Sequence, residues 1–185
     1  SASGDVDTAF VKANTLIHFI KVGVPADIRD SVQANRLLKV KFEIDNDPPP
    51  GFEVESRFAL EPIPFSVVLY TPPSLFAGKM HALLFRSWKS RVKGRDWYDF
   101  YWFVKKGVLL DLFQLGKRME QSGHLESGKT LSREVFERLL SDRIGSIDFS
   151  MAKRDVAPFL HDVREIEVWS AEFFLDVLRR VRFKD

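Results

Sequence analysis

Six charged side chains in this sequence have the types and spacing that phosphate chemistry needs. Lys79 stands inside an apolar run, PPSLFAGKMHALLFR, and Arg95, Asp96 and Asp99 open a second one, RDWYDFYWFV. Charges set among so many Phe, Trp, Leu and Ala residues call for partners. A lysine converging with two carboxylates would meet a phosphate group and a hard divalent cation together. Glu43 and Asp45 form a second acidic pair. At strand spacing they share one face, about 7 Å apart. Like charges so placed are stable only when solvated, neutralised or bound to a cation. Lys39 and Lys41 could neutralise them across the same face.

Each feature has a simpler structural account beside the chemical one. Lys79, Ala82, Leu83 and Arg86 fall at i, i+3, i+4 and i+7 of a helix, so two cations would point the same way, as suits a triphosphate. A lysine can equally snorkel from a buried helix. Asp96 and Asp99 sit in the first turn of the second helix, where the helix dipole favours a carboxylate. Arg95 can pair with either. The aromatic run from Trp97 to Phe103 reads as core before it reads as a stacking platform for bases. Two other patterns are set aside. Gly4-Asp5-Val6-Asp7 imitates a polymerase-type metal motif, but no strand precedes it. Arg118 to His124 and Arg154 to His161 have the spacing of helical RNases, but Gly123 and Pro158 would break the helix required.

The elements that must position these groups follow from patterning. LLKVKFEID (37–45) alternates as a strand, 52–60 alternates again, and 65–70 (FSVVLY) makes a third. This predicts an antiparallel meander with one packed face. Segment 8–21 fits helix or strand equally. Helices are expected at about 72–88 with Ser74 as cap, 95–106 stopped by Gly107, 109–122, 131–144, 151–160 and 170–182. Strands first and helices afterwards make an α+β chain. We divide it into a β-rich part, 1–71, and a helical part, 72–185.

Composition narrows the class. The 185 residues include 45% hydrophobic residues and 17 Phe, too apolar for a disordered chain. No apolar run is long enough to span a membrane, and no signal peptide is legible, so a cytoplasmic protein is expected. The absence of cysteine excludes a disulfide framework and Cys-ligated zinc. His18, His81, His124 and His161 include no close pair in sequence. Between Lys79 and Lys106 eight basic residues face only Asp96 and Asp99, a local positive field.

The run LKVKFEIDNDPPPGFEVE, followed by PIPFSVVLYTPPSLFAGKMHALLFR and RVKGRDWYDFYWFV, resembles the AbiEii/AbiGii toxin family of nucleotidyltransferases. The resemblance spans residues 8–107 and continues weakly through DVAPFLHD and VWSAEFF. It implies a nucleotidyltransferase-like small antiparallel or mixed sheet followed by a helical C-terminal portion. It implies a nucleoside triphosphate bound with Mg²⁺, and transfer of a nucleotide to an acceptor such as tRNA. It also implies a place in a bacterial toxin–antitoxin or abortive-infection system with a cognate antitoxin. Carried over, Lys79 contacts the triphosphate with Arg86 and Arg95 beside it. Asp96 and Asp99 match the catalytic carboxylates of the last motif, and Glu43 and Asp45 fall where a metal carboxylate is expected. The family's first motif, a glycine turn before an Asp-x-Asp strand, is read as missing. The chain is therefore expected to be truncated or degenerate and weakly active or inactive alone. An exposed sheet edge would permit a homodimer. The alternative is a non-catalytic module that keeps the fold and binds an antitoxin or nucleic acid; a helical RNase using His124 or His161 is a third reading.

Overall fold

The computed structural model describes residues 6–14, 37–45, 50–61, 63–86 and 92–184, the first two stretches by their backbone. The chain divides into two compact units, Ser1–Pro48 and Pro49–Asp185. The first holds an antiparallel hairpin of β1 (Val6–Asn14) and β2 (Leu37–Asp45). Its register sets Val6 opposite Asp45, Asp7 opposite Ile44, Thr8 opposite Glu43 and Lys12 opposite Lys39. β2 occupies the alternating run expected of it. The undecided segment resolves as strand over Val6–Asn14, where Val, Thr and Phe favour a pleated backbone.

The second unit opens with another antiparallel hairpin, β3 (Val54–Ala59) and β4 (Phe65–Tyr70). Among the described residues β2 and β3 do not pair, so the expected meander is instead two separate hairpins. Among the described residues none on β3 or β4 is buried, in contrast to the packed face expected. Phe58 is 80% exposed, and Val68 and Leu69, adjacent residues on opposite faces, are both exposed.

Among the described residues six α-helices follow: α1 (Pro72–Phe85), α2 (Gly94–Lys105), α3 (Leu112–Gln121), α4 (Arg133–Gly145), α5 (Phe149–Val156) and α6 (Ala171–Arg179). The α+β class is as expected. Prolines at the first helical positions start α1. Ser74 is not its cap. It is buried inside the helix, and its hydroxyl accepts the Glu53 N–H at 3.1 Å, fastening the hairpin's lead-in to α1. Asp111, Ser132, Asp148 and Ser170 cap α3 to α6 through side-chain oxygens. Gly107, at φ +67, ends α2.

Two short strands were not foreseen: β5 (Leu109–Leu110) pairs in parallel with β6 (Arg182–Phe183), returning the C-terminus to the centre of the chain. The core is aromatic. Phe76 of α1 stacks on Phe103 of α2 at 4.8 Å, and Phe174 of α6 meets Trp97, Phe149 and Trp169 at 4.8–5.1 Å. Each such burial stabilises by about 2–3 kcal/mol, so α1 and α2 are held by the same packing that their charged faces must tolerate.

Candidate functional site

Glycine sets the position of the first turn of α2. A Cβ on Gly94 would lie 2.0 Å from the carbonyl oxygen of Ala152, so only glycine lets α2 start against α5. The Gly94 N–H also donates to Asp155 Oδ2 at 3.0 Å. This contact places Arg95, Asp96 and Asp99 at the mouth of a cleft of about 320 Å³. Lys79 enters it from α1, Lys93 precedes α2, and Tyr98 and Phe159 form apolar parts of its wall.

The charges in this cleft are paired. Lys79 Nζ lies 2.7 Å from Asp99 Oδ2, and Lys93 Nζ lies 3.6 Å from Asp96 Oδ1. Asp96 is only 8% exposed, so burying its charge depends on that lysine. The Arg95 guanidinium sits 4.5 Å over the Phe159 ring, a cation–π contact that leaves its donors available to an anion. Three cations against two carboxylates line the cleft, a field suited to a phosphate-bearing ligand.

Lys79, Arg95, Asp96 and Asp99 therefore converge. Arg86 lies elsewhere. Its carbonyl accepts from Arg143 at 3.3 Å, and it does not line the cleft. Glu43 and Asp45 lie on β2 in the first unit, and their side chains fall outside the described residues. Lys93, Tyr98 and Phe159 were not singled out from the sequence. Lys93 had a signal, its place two residues before Arg95. The others come from packing that no spacing reveals. Among the described residues no three His, Asp or Glu side chains form a metal-holding group. Asp96 and Asp99 alone, each engaged by a lysine, do not make a metal site.

A second polar cluster unites residues that the sequence reading left apart. Ser122 Oγ is 2.8 Å from His81 Nε2 and 2.8 Å from His124 Nδ1, and it donates to the Arg118 carbonyl at 2.8 Å. The Met119 carbonyl lies 3.3 Å from the same hydroxyl, and the ring tautomers set which way the two imidazole bonds run. Burial, reinforced by Arg118, His124 and Arg86, lowers the His81 pKa to about 4. His81 is thus neutral at pH 7. The helix does break at Gly123, which has φ +75, as the argument against a helical RNase requires.

The family model described as "Nucleotidyl transferase AbiEii toxin, Type IV TA system" matches residues 5–177. The chain belongs to the AbiEii toxin family. It is accordingly a nucleotidyltransferase-like toxin of a type IV toxin–antitoxin system, and its genetic partner is a cognate antitoxin. No curated protein and no solved structure matches the chain. The matched span includes Asp5-Val6-Asp7, and Asp7 lies on β1, the strand paired with the one bearing Glu43 and Asp45. Among the described residues no helix is long and apolar enough to cross a membrane.

Proposed function

We propose that this AbiEii-family toxin binds a nucleoside triphosphate and transfers its nucleotidyl group to an acceptor such as tRNA. The observation that carries this reading is the convergence of Lys79, Arg95, Asp96 and Asp99 in one cleft. In the transfer, an acceptor hydroxyl oxygen bonds to the α-phosphorus, the bond to the β-phosphate oxygen breaks, and pyrophosphate leaves. Lys79 and Arg95 neutralise phosphate charge. Asp96, kept dry in the cleft wall, takes the hydroxyl proton. A triphosphate competes for Lys79 and releases Asp99 from its 2.7 Å ion pair, freeing a second carboxylate as the ligand arrives.

Mg²⁺ is proposed as the cofactor, held by Glu43 and Asp45, which share one face of β2. Oxygen donors of this kind suit Mg²⁺. The test is Mg²⁺-dependent nucleotide transfer by the purified chain beside Asp45→Asn. Robust transfer abolished by Asp45→Asn supports the assignment. Weak transfer indifferent to that change restores the reading of a missing first motif and a chain nearly inactive alone. Cytoplasmic residence and pairing of two copies through an exposed strand edge belong to the same proposal; sedimentation at rising concentration checks the latter.

A further inference from the structure

A second cleft, of about 410 Å³, opens at the other end of α2, where α6 runs beside it. Its chemistry differs from that of the first. Tyr101 and Phe173, both only partly buried, place their ring centroids 5.9 Å apart within it. Lys105 Nζ stands 5.3 Å over the Tyr101 ring. Arg180 is held by Asp176 at 2.6 Å, an i,i+4 pair that orients the guanidinium while leaving it 70% exposed. Tyr98 stands between the two clefts. It lines the first and packs edge-on to Tyr101 at 6.1 Å. From Asp99 to Lys105 the helix rises about 9 Å.

A ligand matching this surface offers flat apolar faces with negative charges beside them. Unpaired nucleotides do so: bases stack on aromatic rings and phosphates meet flanking cations. A duplex hides its base faces, and an acidic peptide has no use for the two rings. We propose that the α2–α6 cleft is the acceptor subsite for the unpaired nucleotides preceding the 3′ end of a nucleic acid. Tyr101 and Phe173 take a base, Lys105 and Arg180 take phosphates on either side, and the 3′ end passes Tyr98 to reach the Lys79–Asp99 cleft. This inference rests on the nucleotidyltransferase reading and names the site where its acceptor binds.

The test uses the full chain and a fluorescein-labelled short single-stranded oligoribonucleotide, followed by fluorescence anisotropy beside a duplex of the same sequence. The single strand should bind at least about tenfold more tightly than the duplex. Tyr101→Ala and Phe173→Ala should each weaken it by about tenfold, in line with the loss of one stacked base. Lys105→Glu with Arg180→Glu should flatten the salt dependence by about 1.4 in log–log slope, two phosphate contacts' worth. These last two positions are solvent-facing, and an unchanged thermal melt excludes misfolding. Single-strand binding indifferent to all four changes, equal binding of duplex, or no binding overturns the subsite. A parallel triphosphate titration separates the two claims. Triphosphate binding that depends on Lys79, with oligonucleotide binding that ignores this cleft, sinks the subsite alone. Oligonucleotide binding that needs this cleft, without any triphosphate binding, sinks the acceptor role through the transferase reading.

Discussion

The Lys79–Asp99 pair gives the cleft its central contrast at the scale of single residues. Both partners are partly exposed, at 50% and 32%, so the pair itself contributes little to stability. Asp99→Asn should therefore leave the melting temperature within a few degrees of wild type while reducing nucleotide transfer at least tenfold, measured as pyrophosphate release. His81 makes an independent prediction. Its folded pKa of about 4 lies below the ordinary 6.5, so between those values the unfolded chain holds the extra proton. Stability is then full above pH 6.5 and falls as pH drops towards 4, by roughly 2 kcal/mol. Urea midpoints between pH 7 and 5 should show this slope, and His81→Gln should flatten it. Much of the cleft was legible in the sequence, because Arg95, Asp96 and Asp99 share one helix face and Lys79 interrupts an apolar run. The His81–Ser122–His124 cluster was not, since it joins residues more than forty positions apart, beyond what helical periodicity can report. Arg86 falls outside the expected stripe for a related reason. It caps the C-terminus of α1 in an extended conformation, so the helical stripe that aligned it with Lys79 has already ended.

Among the elements, α2 depends on its first residue. Gly94→Ala would drive a methyl group into the Ala152 carbonyl, and either α2 or α5 must retreat. We expect a loss of about 3 kcal/mol in urea denaturation, with weaker triphosphate binding, because Asp96 and Asp99 ride on that turn. An unchanged midpoint would contradict this account of the cleft's geometry. Element types were legible wherever the pattern ran for several residues: β2 by strict alternation, β4 by its β-branched residues, and α1 and α2 by their proline and glycine boundaries. β5 and β6 were invisible, since two residues carry no period and their pairing spans the length of the helical region. Val6–Asn14 is a strand, and its alternation was obscured by the small and polar residues within it.

At the scale of the whole molecule, among the described residues the buried hydrophobic core runs from Phe76 to Val181, within the second unit. The Pro49–Asp185 unit should thus fold without the first one. Expressed alone, residues 49–185 should melt cooperatively; a broad, non-cooperative transition would show that the core depends on the first hairpin. The exposed Phe58, Ile63 and Val68 on β3–β4 should make that fragment bind a hydrophobic dye, as a large uncovered apolar patch does. The sequence pattern could not foretell this, because alternation identifies two faces but not whether either is covered.

The central claim, that the Lys79 cleft holds a nucleoside triphosphate, is most directly tested by a calorimetric titration of the full chain with GTP, ATP, CTP and UTP in Mg²⁺, beside Lys79→Ala. The account predicts binding of at least one nucleotide, weakened about tenfold to a hundredfold in the variant, as befits loss of a charge-assisted contact. Equal binding by both proteins, or no binding of any nucleotide, would contradict it.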